Sequence, residues 1–164
     1  MPDIVLVRDL MTVGVPTCKN DTPVAEIARL LLDLNTEGVC VLDNEGSGLG
    51  VVGFEELAAV YGRENARDLK AEDVMREGMP TLPADMPLPL AAQFMRDQHT
   101  RIAYMTHNSA GIIYPAAYIT YRHLLRHLAA KPLRAPEHLR PVALHDEREP
   151  SHEAAGVSLR ARMK

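Results

Sequence analysis

Aromatic side chains are scarce in this chain, which limits both its core and its partners. The 164 residues include 2 Phe, 5 Tyr and no Trp. Proteins that bind single-stranded nucleic acid without sequence preference stack the bases on aromatic side chains, so this composition argues against that class. We also expect a core built mainly from aliphatic side chains.

An excess of positive charge is also absent. The chain has 18 Lys and Arg residues against 22 Asp and Glu residues, which gives a formal net charge of −4 at pH 7. A protein that grips a phosphate backbone usually carries an excess of basic residues. We therefore expect no nucleic-acid partner.

Long hydrophobic runs and a cysteine framework are missing as well. The most apolar stretch, residues 27–34, is interrupted by Arg29 and Asp33, well short of the ~18 apolar residues that predict a membrane span. The first residues lack the basic-then-apolar order of a secretory signal. Cys18 and Cys40 are the only cysteines, so no disulfide framework is expected. These features predict a cytoplasmic protein without membrane contact.

Motifs that would indicate catalysis are absent too. The chain contains no G-x-x-x-x-G-K-S/T, G-x-G-x-x-G, C-x-x-C or H-E-x-x-H segment, so neither a phosphate loop nor a zinc-protease site is indicated. His123 and His127 have the i, i+4 spacing of a metal-binding pair, but no carboxylate adjoins them, which favours surface or packing histidines. We expect no enzyme, no metal site and no required cofactor.

The chain does contain an internal repeat, visible when residues 9–44 are compared with residues 73–108 without a gap. The two segments share 11 identities in 36 positions, against about two for unrelated sequences of ordinary composition. Most identities are residues that restrict backbone geometry. They are Asp9/Asp73, Met11/Met75, Gly14/Gly78, Pro16/Pro80, Thr17/Thr81, Asp21/Asp85, Pro23/Pro87, Ala28/Ala92, Asp33/Asp97, Thr36/Thr100 and Asn44/Asn108. The chain is a tandem duplication.

Each copy has the pattern of a strand, a helix, two strands and a second helix. Apolar residues at helical spacing follow Pro23 and Pro87, and each proline is expected to open a helix. Asp21 or Thr22 is the expected cap of the first of these helices, and Asp85 the expected cap of the equivalent one.

The remaining elements of each copy follow from short apolar runs and turn residues. Residues 38–42 and 102–105 are typical of buried strands, and the turns after them are followed by returning strands and closing helices. The expected turns lie at 43–48 and within 106–116, and the closing helices at 54–61 and 121–130. We expect the copies to occupy 1–64 and 65–130, followed by an extended C-terminal segment at 131–164.

This duplicated order resembles a pair of CBS domains (cystathionine-β-synthase domains), the arrangement called a Bateman module. The resemblance covers roughly residues 5–130. It is carried by Asp9-Leu10-Met11-Thr12, Pro16-Thr17, Pro23-Val24-Ala25-Glu26, Gly50-Val51-Val52 and Glu56-Leu57, and again by Asp73-Val74-Met75, Pro80-Thr81, Tyr118-Ile119-Thr120 and His123-Leu124-Leu125. It implies an α/β (α+β) fold of two β-α-β-β-α repeats packed sheet to sheet with pseudo-twofold symmetry.

The resemblance also implies a function, namely a regulatory module that binds an adenine nucleotide or an adenosyl compound between its repeats. AMP, ADP, ATP and S-adenosylmethionine are the expected ligands. In the family, a Thr/Ser-x-x-Asp segment follows the hairpin, and its carboxylate takes the ribose hydroxyls while its hydroxyl lies near the phosphates. A carboxylate can accept hydrogen bonds from two vicinal hydroxyls, and a helix N-terminus favours phosphate.

Both copies depart from this segment. The first has Gly53 and Glu56 in place of the hydroxyl and the Asp, and the second keeps Thr120 but has His123 at the acidic position. A neutral imidazole cannot accept from two hydroxyls in the same way. Two hypotheses therefore stay open: a ligand sensor, or a dimerisation and protein-interaction scaffold with degenerate clefts.

Several of the candidate ligand-binding residues have a plain structural explanation as well. For Thr17 and Thr81 it is strand propensity or turn chemistry, and for Arg101 it is solvation at the surface. A carboxylate at Glu56 also suits the helix dipole, and Cys18 suits a buried thiol. The full set is Thr17, Cys18, Val39, Gly53, Glu56, Thr81, Arg101, Ile102, Thr120 and His123.

A homodimer is expected under both hypotheses, because the resemblance implies that exposed helix faces associate into a disc of four repeats. The segment from residue 131 onward is rich in Pro, Arg, Glu and His. It is typical of an extended chain that could wrap a second subunit or an unidentified protein partner.

Overall fold

The computed structural model describes residues 4–130, so the extension expected at 131–164 lies outside the described residues. The first copy has the expected order of strand, helix, two strands and helix. Its elements are a short helix α1 Val7–Leu10, β1 Thr12–Val13, β2 Thr17–Lys19, α2 Val24–Asp33, β3 Gly38–Leu42, β4 Gly48–Gly53 and α3 Phe54–Val60.

The second copy repeats this plan after a 3-10 turn at Ala66–Asp68. Its first expected strand is reduced to a single parallel bridge between Thr81 and Tyr104. The equivalent residues of the first copy, Thr17 and Cys40, pair in the same parallel sense within β2 and β3. The elements of the second copy are α4 Ala71–Val74, β5 Arg76–Glu77, α5 Leu88–Asp97, β6 Ile102–Ser109, β7 Ile112–Thr120 and α6 Tyr121–Ala130.

The hairpin of the second copy differs from the long turn expected within residues 106–116. Its strands continue to Ser109 and resume at Ile112, and only Ala110 and Gly111 form the turn, both with positive φ. Two successive left-handed residues match the twist of a two-residue hairpin. Pro115, which sequence reasoning placed in the turn, lies in β7 beside a register shift, where a missing N–H is tolerated.

The two sheets exchange their short strands. Strand β1 of the first copy pairs with β7 of the second, and β5 of the second copy pairs with β4 of the first. The resulting sheet orders are β2-β3-β4-β5 and β1-β7-β6. The two exchanged pairings are related by the same pseudo-twofold symmetry as the copies, so each sheet is completed by a strand from the other copy.

The hydrophobic cores follow the same exchange. Val7, in α1 of the first copy, is fully buried in the core of the second copy, and Ala71, in α4 of the second copy, is fully buried in the core of the first. A third cluster lies between the two sheets and contains Cys40, Val51, Ile102 and Tyr104. The packing of sheet against sheet therefore closes the pseudo-symmetric pair.

The expected helix caps are wrong. Pro23 and Pro87 occupy the N-cap positions of α2 and α5, and neither helix has a side-chain cap. Because each helix begins one residue after its proline, the polar residues before the proline lie outside capping reach. The first helical N–H groups instead donate to carbonyls of the crossing segments, from Val24 to Leu69 at 2.7 Å and from Leu88 to Val5 at 2.9 Å.

Within residues 4–130, no helix is both long enough and apolar enough to span a bilayer.

Candidate functional site

Two clefts lie between the copies, at equivalent ends of the pseudo-symmetric pair. The first is lined by the start of α3, the segment before β6 and the exchanged strand β5. The second is lined by the start of α6, the segment before β3 and the exchanged strand β1. The first cleft leaves about 40 Å³ free and the second about 200 Å³. The second cleft therefore offers more space to a ligand.

The first cleft brings four of the predicted residues together: Gly53, Glu56, Arg101 and Ile102. The Oε2 atom of Glu56 accepts a hydrogen bond from the Gly53 N–H at 2.9 Å. This contact is half of a capping box at the first turn of α3. One carboxylate oxygen of Glu56 thus stabilises the first turn of the helix.

The two arginines that line the first cleft are engaged in contacts within the chain. The guanidinium of Arg101 lies 3.4 Å from a carboxylate oxygen of Glu55. The guanidinium of Arg76 donates to the backbone carbonyls of His99 and Gln98, at 2.8 and 2.5 Å. Both arginines of the first cleft therefore already have partners within the chain.

The second cleft brings together the predicted residues Thr120 and His123. Thr120 ends β7 immediately before α6, and His123 is on the first turn of that helix. The Nδ1 atom of His123 accepts from the Thr120 N–H at 3.1 Å, and it also lies 2.9 Å from the Thr120 hydroxyl. His123 therefore has the position and the backbone contact that Glu56 has in the first copy.

The other ring nitrogen of His123 connects the helix to the exchanged strand. Its Nε2 atom lies 2.8 Å from the hydroxyl of Thr12 in β1. Because Nδ1 accepts a backbone N–H, the proton of the neutral ring is on Nε2, which donates to Thr12. Burial, followed by the nearby Arg126, lowers the pKa of His123 below its ordinary value of 6.5. Both effects favour the neutral ring that these hydrogen bonds need.

Positive groups prevail in the second cleft. Arg122 and Arg126 lie one turn apart on α6, and both line the cleft. Glu37 is the acidic residue of this lining, and its carboxylate lies 3.4 Å from the Arg122 guanidinium. A cleft of this kind suits a ligand with an anionic group.

Four of the predicted site residues line neither of these clefts. Cys18 and Val39 are buried in the core of the first copy. Thr17 is exposed at the start of β2, and the hydroxyl of Thr81 donates to the backbone carbonyl of Met79 at 2.9 Å. The structure thus brings six of the ten predicted residues to the two clefts.

The two thiols are buried, as the sequence predicts. Burial raises the pKa of Cys18 to about 11 and that of Cys40 to about 12. Both side chains are therefore protonated thiols at neutral pH and poor nucleophiles.

Sequence reasoning missed several residues that line the second cleft. Thr12, Glu37, Arg122 and Arg126 all face it. The repeat contained a signal for one of them, because Glu37 aligns with the predicted Arg101 at the offset of 64 residues. The others depend on which segments the fold brings next to His123.

Comparison with known proteins gives one family. The family model described as "CBS domain" matches twice, at residues 7–62 and 71–130. A search of curated proteins found no match to this sequence.

Solved structures that this chain resembles include several that are distant in sequence. The CBS domain pair of protein MJ0100, in complex with 5′-methylthioadenosine and S-adenosyl-L-methionine, is 17% identical with a TM-score of 0.68, over 77% of this chain and 98% of that one. The CBS-domain protein ATU1752 from Agrobacterium tumefaciens is 18% identical with a TM-score of 0.66, over 76% and 94%. The CBS domain of a bacterial CNNM/CorC family Mg²⁺ transporter in complex with ATP is 15% identical with a TM-score of 0.62, over 77% and 89%.

Proposed function

Because the chain belongs to the CBS-domain family, as two copies in tandem, we propose that it is a regulatory module that binds an adenine nucleotide or adenosyl compound. The observation that carries this proposal is the second cleft, which is open, polar and lined by Thr120, Arg122 and Arg126. The complexes of MJ0100 with two adenosyl compounds and of the CNNM/CorC domain with ATP support this class of ligand.

The proposed signal is a change in the packing of the two copies. The second cleft is lined by residues of both copies, including Glu37 from the first and Arg122 from the second. A ligand that contacts both sides stabilises one arrangement of the copies over others, and that difference in affinity is what a partner can sense. Regulation, rather than catalysis, is the role we assign.

A thermal-shift series on the full chain tests the ligand class. AMP, ADP, ATP, S-adenosylmethionine and 5′-methylthioadenosine are each added at millimolar concentration. A ligand at 100 times its dissociation constant adds about 2.7 kcal/mol to the free energy of unfolding, a shift of several degrees for a domain of this size. We expect the shift to be lost in Thr120→Val and retained in Glu56→Gln. No shift with any compound would contradict the proposal.

A second candidate function is a dimerisation scaffold, favoured by an apolar groove on the first copy. The groove is lined by α2, α3 and the 3-10 turn. Leu32 and Tyr61 line it while exposing 73% and 89% of their surfaces. Exposed apolar patches of this kind mark association surfaces, and a second copy of this chain would cover the same patch on both subunits.

The oligomeric state tests this candidate. Leu32→Glu and Tyr61→Glu place a charge in the groove, and we expect either change to convert a dimer into a monomer in light scattering after size exclusion. Ile113→Glu is the matched control, because Ile113 is an exposed apolar residue of the β6–β7 hairpin, outside the groove. A wild-type chain that is monomeric at high micromolar concentration would exclude the scaffold through this surface.

A further inference from the structure

A guanidinium group completes the end of helix α5. Arg76, in the exchanged strand β5, donates from its two terminal nitrogens to the backbone carbonyls of Gln98 and His99, at 2.5 and 2.8 Å. These two residues directly follow the helix. The last carbonyls of a helix lack partners within it and lie at the negative end of its dipole, so they favour a cation with several N–H donors.

The equivalent helix end in the first copy has the same backbone. The residue that follows each helix has nearly the same φ and ψ, −86° and −6° after α2 and −82° and −1° after α5. Asn35 and His99 come next, with positive φ of 48° and 49°. The N–H groups of Thr36 and Thr100 then donate to equivalent helix carbonyls, at 3.2 and 2.9 Å. The carbonyls of Leu34 and Asn35 therefore form the same pair of acceptors as in the second copy.

A threonine occupies the position that would fill these acceptors. Thr12 and Arg76 are equivalent at the offset of 64 residues, and they have the same register in the two exchanged strands. The hydroxyl of Thr12 is hydrogen-bonded to His123. Within residues 4–130, the carbonyls of Leu34 and Asn35 accept no hydrogen bond. The helix end that Arg76 completes in the second copy is therefore left unfilled in the first.

The unfilled helix end belongs to the second cleft. Thr12, Leu34 and Asn35 all line this cleft, which leaves about 200 Å³ free. In the first cleft, Arg76 is part of the lining and about 40 Å³ is free. The second cleft thus has both the acceptors and the space for a guanidinium group from outside the chain.

The charges of the second cleft define the rest of the ligand. In the first cleft, Arg76 is accommodated beside an arginine that is paired with a glutamate, and Arg122 and Glu37 provide the same pairing in the second. Arg126 also lines the second cleft and forms no ion pair within residues 4–130. An unpaired cation repels a ligand that is only positive. The ligand must therefore carry an anionic group as well, which Arg126 can bind.

We propose that the second cleft binds a small zwitterion with a guanidinium group, which donates to the carbonyls of Leu34 and Asn35 while the anionic group faces Arg126. Free L-arginine is the simplest compound of this class. The proposal goes beyond the proposed function and does not depend on it, because no adenine nucleotide carries a guanidinium group. The ligand repeats in one copy the contact that Arg76 makes in the other.

Isothermal titration calorimetry on the full chain tests the ligand class. L-arginine is compared with agmatine, which lacks the carboxylate, and with L-citrulline, which has a neutral urea group in place of the guanidinium. We expect L-arginine to bind about tenfold or more tightly than either compound, because each lacks one charged hydrogen-bonding group. The difference should shrink as salt rises, since Leu34 and Asn35 are exposed and exposed charges are screened.

Substitutions of Thr12 locate the site. Thr12→Arg supplies the guanidinium group from within the chain, so we expect it to abolish L-arginine binding and to raise the midpoint of thermal unfolding. Thr12→Val is the matched control for binding, because it removes the same hydroxyl contact with His123 but leaves the carbonyls open, and it should still bind L-arginine. Thr12→Met is the control for stability, because it has a long side chain without N–H donors and should not raise the midpoint.

Several outcomes would overturn the proposal. They are no binding of L-arginine to the wild type at millimolar concentration, equal binding of L-arginine and L-citrulline, and binding that survives in Thr12→Arg. Loss of binding in Thr12→Val would assign recognition to the hydroxyl instead of the helix carbonyls, and would overturn it as well. The thermal-shift series with adenosyl compounds decides the proposed function separately.

Discussion

Glu37 and Arg101 occupy equivalent positions in the two copies, carry opposite charges, and each pairs with the first turn of the other copy's closing helix. Glu37 contacts Arg122 of α6, and Arg101 contacts Glu55 of α3, both at 3.4 Å. Glu55 and Arg122 are themselves equivalent at the offset of 67 residues that applies after the hairpins. The pseudo-symmetry thus repeats the ion pair with its charges reversed.

If the second cleft binds an anionic ligand as proposed, the Glu37 carboxylate should lower its affinity, because it pairs with Arg122. We expect Glu37→Gln to free the Arg122 guanidinium and to raise the affinity for AMP several-fold, because a second full positive charge then faces the ligand. Glu55→Gln is the matched control, since it removes the equivalent ion pair at the first cleft. Calorimetric titration of both variants measures the difference, and a weaker AMP affinity in Glu37→Gln would contradict the prediction.

His123 predicts a pH dependence of stability. Its pKa is lowered in the folded chain, so the neutral ring is favoured by folding. The associated stability is complete above the ordinary pKa of 6.5 and is lost as the pH falls from there through the lowered pKa. The groups that line the cleft around the ring are Arg122 and Arg126 on its own helix and Glu37 from the first copy. The Tyr118 ring packs against the His123 ring at a nearly perpendicular angle, with the two ring centroids 5.7 Å apart.

Thermal unfolding between pH 8 and pH 5 measures this effect when the wild type is compared with a variant that lacks the titrating ring. His123→Asn keeps an acceptor for the Thr120 N–H but does not titrate, so the wild type should lose more stability than this variant below pH 6.5. His127→Asn is the control and should follow the wild type, because His127 belongs to the same helix but does not line the cleft. Parallel curves for wild type and His123→Asn would contradict the prediction.

A glycine is required at position 53 because the backbone of Glu37 lies too close to leave room for a side chain. A Cβ atom there would lie 2.8 Å from the Glu37 carbonyl oxygen. We expect Gly53→Thr, which restores the family's hydroxyl residue, to lower the free energy of unfolding by about 1–3 kcal/mol through overpacking. Gly62→Ala is the control, because its Cβ would meet nothing within 4 Å. Urea unfolding compares the two, and a Gly53→Thr variant as stable as the wild type would show that the cleft adjusts.

The hydroxyl of Tyr104 is buried without a hydrogen-bond partner among the described residues. Burial raises the pKa of this phenol well above its ordinary value. We expect Tyr104→Phe to raise the free energy of unfolding by about 1 kcal/mol, since it removes an unsatisfied polar group. Tyr114→Phe is the control, because that ring is partly exposed on the hairpin. A destabilised Tyr104→Phe chain would contradict the prediction.

The repeat made much of the fold predictable, because many identical pairs have a backbone role. Asp9 and Asp73 each accept the N–H of the residue three positions earlier. The hydroxyls of Thr36 and Thr100 each donate to the backbone carbonyl two positions later. Such contacts are local, so they leave a mark in the sequence that a comparison of the copies reveals.

The parts that could not be predicted are those that depend on long-range contacts. The first N–H of α2 donates to Leu69, a residue 45 positions away along the chain, so side-chain caps were unnecessary and the expected ones were wrong. Likewise, Arg126 belongs to none of the motifs that the comparison of the two copies identifies. Its place in the second cleft follows from the packing of α6 beside the other copy.

The exchanged strands also determine how the chain unfolds. A half cut at the sequence boundary would lose an edge strand of its sheet, and it would lose either Val7 or Ala71 from its core. Neither copy is then a folding unit, and local opening of one copy removes support from the other. The pair should melt in a single transition, and a ligand bound in either cleft would protect amide hydrogens throughout both copies.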